Sequence, residues 1–225
     1  MGADASLKGE CCVQPTLLSL PTSSPGLCQV AMRYPSPRGD RAPVICLHGL
    51  TRNARDFEDV APAIAASGRD VLALTLRGRW LSDHDPDWRR YHPFHYRNDL
   101  FAAMDCLGVA SAVLIGTSLG GIVSMLAAEA APARVAAVAV NDVGPALAPE
   151  GIARIAGYVA GRPPGDDGSA GSLDAAAQAI RGINEVAFPG RDAEFWRAFA
   201  RRTFRPAPDG RWRLDYDPAI GRALT

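Results

Sequence analysis

The chain has 225 residues, enough to bury a sizeable core in one domain, or in one domain with an inserted cap. Its 24 Lys and Arg balance 24 Asp and Glu, so no net field draws it to nucleic acid or to an anionic membrane. No stretch approaches the roughly 18 apolar residues of a spanning helix, which removes a membrane role of that kind.

Met1 to Gln14 carries Asp4, Lys8 and Glu10 and lacks the basic-then-apolar pattern of a signal peptide. The five cysteines, Cys11, Cys12, Cys28, Cys46 and Cys106, are odd in number and show no metal spacing. Cys46 and Cys106 sit in apolar runs and are expected as buried free thiols, with Cys11 and Cys12 exposed. This usage fits a reducing compartment and a cytoplasmic location.

Residues 1–26 are weakly patterned, with Pro15, Pro21, Pro25 and Gly26 as breakers. Cys28–Tyr34 is expected as an early strand. Val44–Leu47, Val71–Leu74, Ala112–Ile115 and Val135–Val140 are short unbroken apolar runs, the mark of strands buried on both faces of a parallel sheet. Helical spacing is read over Arg55–Ser67, Asn98–Leu107 and Ile122–Ala130. Alternating strands and helices imply right-handed crossovers and an α/β fold with a mostly parallel open sheet. Beyond residue 145 the pattern changes to three helices, over 150–160, 173–187 and 192–204, with no strand between them and a loop at Gly161–Ser172. The division expected is 1–26 as an N-terminal segment, 27–145 as the core, 146–209 as a helical lid and 210–225 as a return segment.

The chemistry centres on Gly116-Thr117-Ser118-Leu119-Gly120-Gly121, set between an apolar strand and an apolar helix. A turn sharp enough to lift the Ser118 hydroxyl off the sheet forces a strained backbone there, and glycines two residues to each side avoid a clash. The helix that follows aims its first amides at the site, so the Leu119 N–H can donate to a developing oxyanion. No phosphate loop or dinucleotide fingerprint occurs, and no cofactor is implied. His92-Pro93-Phe94-His95 lacks further ligand residues at a convincing spacing, so no metal site is expected.

Taken together, Leu47-His48-Gly49-Leu50-Thr51-Arg52-Asn53, Leu76-Arg77-Gly78-Arg79, the Ser118 elbow and Asn141-Asp142-Val143-Gly144-Pro145 resemble the α/β-hydrolase fold-1 family of small-molecule esterases and related hydrolases. Gly210–Ile220 is similar to the stretch that closes the lid in those proteins. Trp80-Leu81 stands where relatives often have small or basic residues, which bears on the pocket lining. The resemblance implies Ser118 as nucleophile and the Leu50 N–H as second oxyanion donor, with His48 and Gly49 shaping the oxyanion loop. For Asp142 two readings stay open: the acid of the triad, or a hydrogen-bonding partner of the Val143-Gly144-Pro145 turn. The family's order is Ser, acid, His, yet His48, His84, His92 and His95 all precede Ser118. The expectation is an N-terminal part of the fold, ending before the last two strands and the catalytic histidine.

The function implied is a serine hydrolase of a small carboxylic ester or related acyl substrate. The alternatives are a catalytically silent binding or interaction module, and a lyase or cofactor-free peroxidase on the same fold. Serine at the elbow argues against haloalkane dehalogenases and epoxide hydrolases, which place an aspartate there. The strand Val135–Val140 is expected as an open apolar edge, a route to homo-oligomers or aggregation.

Overall fold

The computed structural model describes residues 14–146, 150, 151, 153, 155, 157, 159 and 168–224. The expectations for residues 1–13, Cys11 and Cys12 among them, and for most of the loop from 161 lie outside the described residues. Six strands form the main sheet: β1 (Thr16–Pro21), β2 (Cys28–Tyr34), β3 (Val44–Leu47), β4 (Val71–Thr75), β5 (Ala112–Thr117) and β6 (Val135–Asn141). Their order is β1-β2-β4-β3-β5-β6. β4, β3, β5 and β6 run parallel, while β2 joins β4 and β1 joins β2 antiparallel.

Every residue of β3 and β4 is buried, because helices cover both faces. The period-two alternation of a strand divides these residues between two cores. Ile45, Leu47, Leu72 and Leu74 pack with Leu100 and Met104 of α2 (Pro93–Cys106) and with Val123 of α3 (Leu119–Ala130). Val44, Cys46, Val71 and Ala73 pack on the other face with Phe57 and with Ala61 and Ala65 of α1 (Ala61–Ala66). The parallel sheet with helices on both faces is therefore the architecture that the apolar runs predict.

Several local expectations are corrected. The N-terminal stretch contains a full strand, β1, paired to β2 from Thr16↔Arg33 to Pro21↔Cys28. Arg55–Ser67 is two pieces, a 3₁₀ turn over Ala54–Phe57 and the short α1. α2 begins at Pro93, five residues before its expected start, because proline suits the first helical position and His92 accepts from the Phe94 N–H. Cys106 is exposed at the end of α2, on the face turned from the core, whereas Cys46 is buried.

The C-terminal region pairs two amphipathic helices, α4 (Leu173–Asn184) and α5 (Ala193–Thr203), each started by a side-chain cap from Ser172 and Asp192. It also contains strands, which the sequence reading did not expect: β7 (Ser169–Ala170), β8 (Phe204–Pro206) and β9 (Trp212–Leu214), in the order β7-β9-β8. Ala176, Ile180, Trp196, Ala200 and Phe204 form its own small core. Tyr216 and Ile220 then rejoin the main core.

Candidate functional site

Ser118 lies between the end of β5 and the first turn of α3, with φ 51° and ψ −114°. This is the left-handed side of backbone space, costly for any residue with a Cβ. The close approaches on either side explain the glycines. A Cβ on Gly116 would lie 2.3 Å from the Gly120 carbonyl oxygen, and one on Gly120 would lie 2.1 Å from the Leu47 carbonyl oxygen. The bend is pinned from both sides: the Ser118 N–H donates to Asn141 O at 2.9 Å, and Ser118 O accepts from Gly121 N at 2.9 Å and Ile122 N at 3.1 Å.

The loop after β3 runs alongside. A Cβ on Gly49 would sit 3.8 Å from Ser118 Cβ. The Leu119 N–H is at the first helical position, one of the donors that a helix cannot satisfy itself. No acceptor for the Leu50 N–H is found among the described residues. Leu50 O, by contrast, is held by Arg79 Nε at 2.9 Å.

His48 is fully buried beneath this loop. Its Nε2 accepts from the Leu76 N–H at 3.0 Å, so the proton lies on Nδ1, 2.7 Å from Gly49 O. Burial first, then the Arg79 charge, pushes its pKa down to about 3. Both ring nitrogens are engaged in holding the loop. Asp142 follows β6 with φ 59° and is exposed. Its carboxylate makes no hydrogen bond to the Val143-Gly144-Pro145 turn among the described residues, so the turn-capping reading has no bond behind it.

Ser118, Leu50, Leu119 and Asp142 open onto one cavity of about 370 Å³. Tyr91, Tyr96, Ile122, Val143, Ile155 and Ala223 give it a largely apolar wall. Both tyrosine hydroxyls are tied elsewhere. Tyr91 Oη donates to Asp217 Oδ2 at 2.5 Å and accepts from the Asp85 N–H at 2.8 Å, and Tyr96 Oη accepts from Arg79 Nη1 at 2.6 Å. Burial raises both phenol pKa values, so both stay protonated. None of the four histidines lines the cavity. Phe195, Trp196 and Phe199, the apolar face of α5, do not line it either. They form an aromatic cluster with Phe188.

Two buried arginines stand behind the site. Arg77 is neutralised by Asp99 and by Asp85, the latter at 2.6 Å, all three side chains fully buried. Arg79 has no carboxylate partner among the described residues; it grips Leu50 O, Arg77 O and Tyr96, and its Nη2 makes no hydrogen bond to them. The loop after β3 is also clamped to α5. Arg52 bonds Asp56 and Thr203 and lies 4.1 Å over the Phe199 ring, Asn53 Nδ2 donates to Arg202 O at 2.8 Å, and Arg202 pairs with Asp59 at 2.9 Å. Sequence reasoning missed Tyr91 and Tyr96, and it gave Arg79 only as part of the Leu76-Arg77-Gly78-Arg79 motif, without a role. Only Pro93 at a helix start carried a signal that could have placed the two tyrosines beside the sheet's carboxyl edge.

The family model for the alpha/beta hydrolase fold matches residues 42–166. The chain is 32% identical over 180 residues to the 3-hydroxybutyrate-oligomer hydrolase of Cupriavidus necator, across 79% of this chain and 59% of that protein. It is 33% identical over 111 residues to sn-1-specific diacylglycerol lipase ABHD11 of Danio rerio, across 49% of this chain and 34% of that protein. It thus spans less than two thirds of the length of these curated relatives. An alpha/beta hydrolase structure from Novosphingobium aromaticivorans superposes with a TM-score of 0.84 at 40% identity, covering 92% of this chain and 70% of that one.

Proposed function

We propose, on the premise that this chain belongs to the α/β-hydrolase fold family, that it carries the nucleophile and oxyanion hole of a serine esterase. The observation that carries this reading is the strained Ser118 in the lining of an apolar cavity. In it, Ser118 Oγ attacks the ester carbonyl carbon, and the Leu50 and Leu119 N–H groups receive the oxyanion. The reading requires a histidine other than the four of this sequence to take the Ser118 proton, oriented by Asp142 at the carboxyl end of β6 or by another acid. His48 and Gly49 shape the oxyanion loop. The apolar wall favours an ester with an uncharged acyl chain, and two relatives are named a 3-hydroxybutyrate-oligomer hydrolase and a diacylglycerol lipase. Residues 146–209 act as a lid: Gly151 and Ile155 line the cavity, and the Arg52, Asn53 and Arg202 contacts fasten α5 over the oxyanion loop. Exposed unpaired thiols at Cys28 and Cys106 fit a cytoplasmic setting.

A second reading, a binding module without turnover, is favoured by one fact: no histidine of this chain lines the cavity. A serine without its base is a weak nucleophile, and removing the histidine of a serine protease costs roughly a millionfold in kcat. Treatment with an activated alkyl phosphonate separates the readings. Slow modification confined to Ser118, absent in Ser118→Ala, is expected. Equal modification of Ser118→Ala would end the esterase reading, and fast stoichiometric labelling would show that a base within the chain serves Ser118.

A further inference from the structure

Trp80, where the sequence departs from the family pattern, does not line the Ser118 cavity. It lines a separate cleft of about 320 Å³ that shares no lining residue with that cavity. Three guanidinium groups reach this cleft from distant parts of the chain: Arg55 from the turn after β3, Arg201 from α5 and Arg205 from β8. Trp80 and Trp212 add indoles, and Asp215 is the one carboxylate in the lining among the described residues.

The charges do not balance. Arg55 Nε donates to Glu58 at 3.0 Å and its Nη1 to Arg201 O at 2.7 Å. Arg205 Nε is 3.7 Å from Asp215, beyond hydrogen-bond distance. The Arg201 guanidinium makes no ion pair or hydrogen bond among the described residues. Glu58 is shared with Arg202, which Asp59 also pairs, and Asp174, the acid that feels the Arg201 charge, is already bonded to Arg197, so these guanidinium groups still outnumber their carboxylates by one. The second observation is backbone strain. Trp80 has φ 47°, an outlier for so bulky a residue, and its N–H is fastened to Asp215 O at 2.8 Å. Strain of this kind persists only where surrounding contacts impose it, and it clusters at ligand sites.

We propose that this cleft binds a small organic monoanion with a planar apolar body, of the aromatic carboxylate class. The carboxylate pairs with Arg201 and Arg205, whose planar guanidinium groups match it in geometry. The ring packs on the Trp80 and Trp212 indoles. Asp215 selects against a dianion such as a phosphate monoester, because only one positive charge is uncompensated. The proposal stands apart from the esterase reading and survives its failure.

Calorimetric titration of the chain with 1-naphthoate tests it. One saturable site is expected, with binding at least about tenfold weaker for 1-naphthalenemethanol, the uncharged analogue. Arg201→Gln with Arg205→Gln, both at exposed positions, is expected to weaken 1-naphthoate about tenfold or more. Trp80→Gly, which relieves the strain, is expected to weaken it while keeping the fold. Absence of saturable binding, equal binding of acid and alcohol, or indifference to the arginine changes would overturn the proposal. So would sensitivity to Ile122→Trp, which fills the Ser118 cavity instead.

Discussion

β4 and β6 are both apolar runs closed by one polar residue, Val-Leu-Ala-Leu-Thr and Val-Ala-Ala-Val-Ala-Val-Asn, and lie in opposite environments. All of β4 is buried between β2 and β3 and between helices on both faces. Among the described residues β6 pairs with β5 alone, and five of its seven residues are exposed. Composition makes both strands fit for a sheet interior, but coverage is supplied by other parts of a fold. An apolar strand whose far side is uncovered presents unpaired backbone and side chains that gain nothing from water.

The sharpest test of this contrast is a Cβ in the packed centre. Gly120→Val places atoms onto the Leu47 backbone, which cannot yield without opening β3. A loss of about 4 kcal/mol or more is expected, seen as unfolded or insoluble protein by circular dichroism. Next comes Arg77→Met, which strands Asp85 and Asp99 in the interior without their cation. Urea denaturation should show a loss of about 3–5 kcal/mol, partly restored by adding Asp85→Asn and Asp99→Asn.

The buried His48 makes the centre pH-sensitive in a defined sense. In the fold it stays neutral down to about pH 3, whereas its ordinary value is 6.5. Between these values the unfolded chain binds the extra proton, so stability falls as pH drops from about 6.5 towards 3. The slope is at most about 1.4 kcal/mol per pH unit for this one group. His48→Gln should flatten that part of a stability-against-pH curve, and an unchanged slope would mean that other groups set it. The smallest effect belongs to β6. Ala137→Lys with Ala139→Lys, both exposed, should change stability by less than about 0.5 kcal/mol while reducing concentration-dependent association in sedimentation. We propose homo-association through this edge. Identical sedimentation of the two forms would argue against it.

How much could be read beforehand follows from element length and surroundings. β3, β4, β5 and the elbow were legible because short unbroken apolar runs, two of them closed by His48 and Gly116, have few other uses in an α/β chain. β1 was not, since Thr-Leu-Leu-Ser-Leu-Pro neither alternates nor runs apolar; it holds because β2 offers a partner along all six residues. β7, β8 and β9, at two or three residues each, are shorter than any periodicity can register. In the site, Ser118 and Leu119 could be picked out from the strand-elbow-helix pattern and Asp142 from its place at the end of β6, whereas Leu50 came only with the resemblance of the loop after β3 to the family's oxyanion loop. The tyrosine wall, and the placement of Arg79 against Leu50 O and Tyr96, depend on how α2 and the loop after β4 fold back over the sheet. No local pattern encodes that.

The strained turn at Ser118 has a consequence for drift. Holding φ at 51° costs a residue with a Cβ on the order of 1–3 kcal/mol, and glycine would sit there freely. Random substitution therefore has a stabilising exit at position 118 that removes the hydroxyl and leaves the cavity walls intact. A lineage that needed only the cavity would be expected to take it, and the serine would persist only where its oxygen is used.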